Sequence, residues 1–468
     1  MSVDHDGSTS GEQGQQYLEW GTPRYDPDGQ QASLQREVQM RELVEAFAQQ
    51  GVPIGIGPDD GKPDQADYLY VKGVVLTTDE DASRVRQVLR RGGYLSDGTP
   101  SDTPSDTPSD TPFDTPLDKD DGRDRPRSRV DGQPRARALR GLTRIVLDAN
   151  PDTLEALDLV DRALGPGVAT PDHVLHISSK GTGCPATEPI PSDGPPDPPS
   201  ATDTELGSGV RVSVVDSGLI PDLAASTSWL AGVTGDEEQP TVGRYRGHGT
   251  FIAGIVRAMA PSADVDVEAF FYIGGGILES ELAPALGRAL ETMPDVISMS
   301  AGARTRHSHP LKSLEVFWEK WLRHVKGTVL VCAAGNDGDR GPFWPAAFPW
   351  TVSVGALESD GSRASYSNHG SWVDVWARGS DVVNAYPDGA YAYAWPPLAP
   401  GTASFTTGLA SWCGTSFSTP LVSGLIAARM SWSGESAREA ATALLVKSRG
   451  NATPFVGAVL EAGMADAP

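Results

Sequence analysis

The chain has 468 residues, room for two or three domains of ~150 residues and for a sizeable buried core. Acidic residues outnumber basic ones in both parts, 35 against 20 up to Ser200 and 27 against 18 after it, for a net charge of −24. Such a surface repels phosphate backbones and anionic lipid, so neither nucleic acid nor membrane is an expected partner.

Three cysteines, Cys184, Cys332 and Cys413, are too few for a disulfide framework. No run approaches the ~18 apolar residues of a membrane span, and the first sixteen residues lack the apolar stretch of a secretory signal. The expectation is a soluble, cytoplasmic protein.

Residues 1–33 are polar and read as a flexible tail. Met40, Leu43, Val44 and Phe47 then recur at helical spacing, predicting a helix from Ser33 to the stop at Gly51. A strand is predicted over 67–76 and a helix over 79–91, burying Ala82, Val85, Val88 and Leu89. Ser-Asp-Thr-Pro follows three times over 101–112 and degenerates at 113–116. A proline every fourth residue forbids helix and ladder alike, so 96–137 is expected to be a disordered, extended insertion. Residues 142–148 read as a strand, and Asn150-Pro151 opens a helix lined by Leu154, Leu157, Val160 and Leu164. A further short strand covers 173–178. Residues 34–180 thus form a small α/β region with an insertion, and 181–204, rich in Pro, Ser and Asp, reads as a linker.

From Glu205 to 465 the texture changes. Near-continuous β-branched runs at 210–215, 263–272, 295–300, 328–333 and 351–354 alternate with helical segments at 249–258, 279–292 and 310–326. That alternation predicts an α/β domain with a mostly parallel central sheet and helices on both faces.

Four local patterns carry chemistry. Asp216-Ser217-Gly218 ends a buried strand, where parallel sheets place functional groups. His248 lies between glycines at the start of a helix, Asn336 follows the 328–333 strand in Gly-Asn-Asp-Gly, and Ser416 stands in Gly414-Thr-Ser-Phe-Ser-Thr-Pro420 before an apolar helix. Each alone has a bland reading: turn former, helix cap, tight turn, N-cap. Together they supply the parts for acyl transfer. A serine hydroxyl needs a base, the base needs an anion to fix its tautomer, and the oxyanion needs donors.

With these motifs in the order Asp, His, Ser, the domain resembles the subtilisin family of serine proteases, and the resemblance runs from Val210 to about Ala428. It implies a serine endopeptidase acting on protein or peptide substrates, with Asp216, His248 and Ser416 as catalytic residues and Asn336 in the oxyanion hole. It further implies that Ser300, Ala301 and Gly302 flank an extended substrate and that Ala333, Ala334 and Gly335 form a pocket wall. It likewise implies that Asp337 stands at the pocket rim. No metal and no cofactor are expected. Phe251 replaces the family's usual second histidine, Ala377-Arg378-Gly379 replaces Ala-Pro-Gly, and residues 387–407 are an insertion that reads as a lid or a packed loop.

The N-terminal region has two readings: a propeptide-like inhibitor, or a separate recognition or tethering domain that is never removed, which is the expectation because the resemblance there is only topological. Either reading leaves room for an activating or inhibiting protein partner. The alternatives for the whole chain are a pseudoprotease serving as a peptide-binding scaffold and a protease effector of a signalling or defence system. Cys332 and Cys413 read as buried small hydrophobes, His307 and His309 as surface histidines, and Phe317, Trp318, Trp321, Leu322 and Val325 as a core stripe.

Overall fold

The computed structural model describes residues 30–58, 67–96, 141–148, 152–177, 188–394, 398–453 and 456–464. Most of the expected tail and the whole Ser-Asp-Thr-Pro stretch lie outside them, as does Cys184.

The N-terminal unit comprises α1 (Gln30–Gln49), β1 (Ile54–Gly57), β2 (Tyr68–Thr78), α2 (Ala82–Arg91), β3 (Leu142–Val146), α3 (Thr153–Leu164) and β4 (Ala169–Ile177). β2 is central: β1, β3 and β4 all pair with it antiparallel. α2 and α3 cover one face through Val85, Leu89, Leu157 and Val160, and α1 covers β1 and β2 through Met40, Leu43 and Phe47. β1 escapes periodicity because Ile-Gly-Ile-Gly is too short to show a pattern. Helix α3 starts later than the Asn-Pro signal implies: Asp152 caps it, accepting from the N–H groups of Leu154 and Glu155, and Asn150 and Pro151 lie outside the described residues.

Residues 188–204, expected as linker, pack against the larger domain instead. Within them β5 (Ile190–Pro191) forms an edge strand, and Asp197 bridges Val383. A Pro-rich composition does not reveal such a strap, since edge strands tolerate proline.

The larger domain continues with β6 (Arg211–Asp216), α4 (Pro221–Ser226), β7 (Thr234–Gly235), α5 (His248–Met259), β8 (Asp264–Ala269), β9 (Gly276–Leu278), α6 (Glu279–Leu290), β10 (Val296–Met299) and β11 (Ala301–Gly302). It is completed by α7 (Lys312–Lys320), β12 (Val329–Ala333), β13 (Val352–Leu357), β14 (Val375–Arg378), β15 (Val382–Ala385), β16 (Gly389–Tyr393), β17 (Gly401–Phe405), β18 (Leu409–Trp412), α8 (Thr415–Ser433) and α9 (Ala437–Arg449).

Seven strands in the order β14-β13-β12-β10-β6-β8-β7, every pair parallel, make the central sheet. Alternate side chains face two cores. Val212, Val214 and Val331 meet α5, α8 and α9 on one side, while Val215, Ile297, Leu330 and Cys332 meet α6 and α7 on the other. The expected doubly covered α/β sheet is what forms. α7 ends at Lys320, earlier than the 310–326 segment suggests, and a 3-10 turn over Leu322–His324 follows. The aromatic stripe there is core: Phe317 and Leu322 are buried, and Trp318 stacks on Trp350.

The two units share a sheet. β4 lies between β9 and β11, antiparallel to both, with Val174, Leu175 and His176 opposite Leu278, Ile277 and Gly276, and with Ile177 and His176 opposite Ala301 and Gly302.

Candidate active site

The site forms where strands and helices of the larger domain terminate. β6 delivers Asp216 at its carboxyl end, fully buried. Its Oδ1 accepts from Ser217 N–H at 2.8 Å and lies 2.7 Å from His248 Nδ1. His248 is the first residue of α5, only 2% exposed, so it is neither a cap nor a surface histidine. A carboxylate can only accept, so Nδ1 carries the proton and Nε2 is the end left to act as a base. Gly249 is required by close approach: a Cβ there would stand 2.4 Å from the Gly218 carbonyl oxygen.

Ser416 is the second residue of α8, with Gly414 in the N-cap position, so the serine is not the cap. Its neighbour Phe417 packs 5.5 Å from the His248 ring, which Trp412 also meets edge-on at 5.3 Å. Ser300 and Ser416 are tied together: Ser300 Oγ donates to the Ser416 carbonyl at 2.9 Å, and Ser416 Oγ to the Ser300 carbonyl at 3.5 Å. Asn336 Oδ1 accepts from both the N–H and the hydroxyl of Thr415, each at 2.8 Å, and this decides which end of the amide is the donor. A Cβ on Gly414, whose φ is 154°, would lie 3.4 Å from Asn336 Nδ2 and 3.6 Å from Ser416 N. Asn336 Nδ2 and the Ser416 backbone nitrogen thus both lie within contact range of one point beside Gly414.

The segments expected to hold substrate are placed around this point. Ala301 and Gly302 are β11, whose edge β4 occupies. Ala333 and Ala334 are buried at the end of β12, and Gly335 N–H donates to Thr415 Oγ1 at 3.1 Å. Asp337 sits in a turn held by Asn368, whose Oδ1 accepts from its N–H at 2.9 Å. Arg304 pairs with Asp339 and Asp67.

Thr415, Ser217 and Glu238 escape sequence reasoning. Thr415 had a signal, its place beside Ser416. Glu238 had none. Its Oε1 accepts from Ser217 Oγ at 3.0 Å and Gly247 N–H at 2.7 Å, and burial pushes its carboxyl up to about 7.

The chain matches the model of the subtilase family over residues 207–460. It belongs to the subtilase family. As a subtilase it is an enzyme of the peptide-hydrolase class. Thermitase of Thermoactinomyces vulgaris is 30% identical over 240 residues, 48% of this chain and 77% of that protein. The thermophilic serine proteinase of Bacillus sp. (strain AK1) is 31% identical over 238 residues, 48% of this chain but 53% of that protein, so the subtilase spans only about half of that relative. Among solved structures, the prenylagaramide maturation protease PagA is 26% identical, covering 52% of this chain and 83% of that one with a TM-score of 0.42. The strand order of the central sheet is what places the chain in this fold class.

Departures from the family motifs have local reasons. Phe251 is fully buried against Phe417 at 4.9 Å and Trp412 at 5.7 Å. Arg378, in place of proline, forms a 2.6 Å ion pair with Asp197 of the strap. The 387–407 insertion is the β16–β17 hairpin, folded back so that Tyr391 Oη donates to the buried carboxylate of Glu188 at 3.3 Å. It walls a cavity of about 450 Å³ with Arg244, Tyr245 and Arg246, and the Tyr245 ring meets His248 at 6.4 Å. The hairpin is therefore packed against the strap and the 244–246 segment. His307 is exposed beside His309, and no helix among the described residues is long and apolar enough to cross a membrane.

Proposed function

We propose that the chain is a serine endopeptidase in which Ser416 attacks the scissile carbonyl and His248 Nε2 takes the hydroxyl proton. The acyl-enzyme forms as His248 returns that proton to the leaving amine, and water then releases the acyl group by the same route. Asp216 holds the imidazole in the productive tautomer and stabilises its charged form. Asn336 Nδ2 and the Ser416 N–H receive the oxyanion. The observation that carries this reading is the buried 2.7 Å Asp216–His248 contact at the mouth of α8. Ser416→Ala is expected to abolish peptide hydrolysis while leaving the thermal midpoint and circular dichroism unchanged. Retained turnover in that variant would remove Ser416 from the reaction.

The N-terminal unit acts on the same site in this reading. β4 lies between β9 and β11 in an extended, doubly paired form, the geometry by which a sheet edge takes up a peptide. Acidic groups of the N-terminal unit meet basic groups of the larger domain: Asp158 and Asp161 pair with Arg306, Asp67 with Arg304, and Glu42 with Arg244. Asp172 accepts from Ser280 N–H at 3.0 Å and Oγ at 2.7 Å, at the start of α6. His173 and Glu279 form a fully buried 2.7 Å pair. These contacts favour an inhibitor that fills the cleft over the separate tethering domain expected from the sequence. Chain scission between Ile177 and Glu188 would free the N-terminal unit and leave the strap in place. Full-length chain is then expected to hydrolyse a small peptide substrate more slowly than chain cut in that interval.

A further inference from the structure

Glu238 stands between the two halves of the acid–base pair. Its Oε1 bridges Ser217, which follows Asp216, and Gly247, which precedes His248. Ser217 Oγ in turn accepts from Gly249 N–H at 3.0 Å, on the other side of the histidine. One carboxylate therefore ties the turn after β6 to the first residues of α5. The relative position of Asp216 and His248 depends on those two elements.

Resting on the reading of Ser416, His248 and Asp216 given above, we infer that Glu238 is a positioning residue for that pair and that its ionised form is the productive one. The charge argument is separate from the geometry. Around Glu238 stand Asp216 at the end of β6, Arg246 before α5 and Tyr386 before the hairpin, and burial and the Asp216 charge hold back its ionisation while Arg246 assists it. Once ionised, it adds a second negative charge beside the Asp216–His248 pair, which favours the imidazolium formed in the transition state.

Stability gives a readout that needs no activity. A carboxyl that keeps its proton in the fold to about 7, against 4.5 in the open chain, contributes stability that is fully present below 4.5 and is lost as pH rises to about 7. Glu238→Gln keeps an acceptor oxygen for Ser217 and Gly247 but cannot ionise. Its thermal midpoint relative to the parent chain should therefore climb between pH 4.5 and 7 and level off above.

The test measures, on the full chain, the rate at which diisopropyl fluorophosphate labels Ser416 from pH 5 to 10, beside the thermal midpoint over the same range. In the parent chain the acid side of the profile should be steeper than one proton. In Glu238→Gln it should fall to one proton, with the plateau about tenfold lower, and Glu238→Ala, which also loses both hydrogen bonds, should be slower still. A Gln profile that superimposes on the parent's overturns the inference. If the parent labels at no pH, even after scission between Ile177 and Glu188, the reading of Ser416 has failed. The thermal midpoints then decide the remainder: a Gln-minus-parent difference that grows from pH 4.5 to 7 supports the ionisation of Glu238, and a constant difference refutes it.

Discussion

At the scale of single residues, the four chemical side chains were legible because each stands in a short motif at an element's end. Their supports were not. Thr415 orients Asn336 through two bonds to one oxygen, so Thr415→Val is expected to leave the backbone bond, release the amide's orientation and lower kcat with little change in KM. Asn336→Ala should cost about 10²-fold to 10³-fold in kcat, the loss known for removal of the corresponding donor in subtilisin. Steady-state kinetics on a chromogenic peptide checks both, and an unchanged kcat in either variant would take the amide out of the oxyanion site. Glu238 could not be read beforehand, since its loop has no periodicity and its partners are nine and twenty-one residues away. Burial also separates the cysteines from chemistry: Cys332 is fully buried, which pushes its thiol well above the usual range, as expected of a small hydrophobe.

At the scale of elements, the strands buried on both faces were the most readable part, because continuous Val and Ile runs admit few alternatives. The strap over 188–204 and the hairpin over 389–405 were the least readable. Their pairing is set by distant partners, such as Glu188 with Tyr391 and Asp197 with Arg378. β4 was found as a strand, but its neighbours were not, because β9 and β11 are only three and two residues long. Its role yields a prediction. Leu175 is fully buried against the core shared with α6, so Leu175→Asp places an unpaired charge there and should undock β4. Hydrolysis of a small peptide by the full chain should then rise about tenfold or more. No rise, with the fold intact by circular dichroism, would mean that β4 does not obstruct the cleft.

At the scale of the whole molecule, an acidic N-terminal unit rests on a domain that meets it with Arg244, Arg304 and Arg306. His176 lies in β4 at the junction, and burial pulls its imidazole below the usual 6.5 despite the opposing charge of Asp337. A histidine held neutral in the docked state but free to take a proton when released contributes docking stability that is present above pH 6.5 and is lost as pH falls below it. Release of the N-terminal unit, followed by limited proteolysis with an added protease, should therefore become easier as pH falls below 6.5, and a His176→Phe variant should lose that dependence. The central claim remains that Ser416 is the nucleophile of a site that the chain's own strand obstructs. Intact mass spectrometry after treatment with a fluorophosphonate, on the parent chain, Leu175→Asp and Ser416→Ala, tests it most directly. The account predicts one adduct, on Ser416, formed faster in Leu175→Asp and absent in Ser416→Ala. An adduct that survives Ser416→Ala, or none in either of the other two chains, would contradict it.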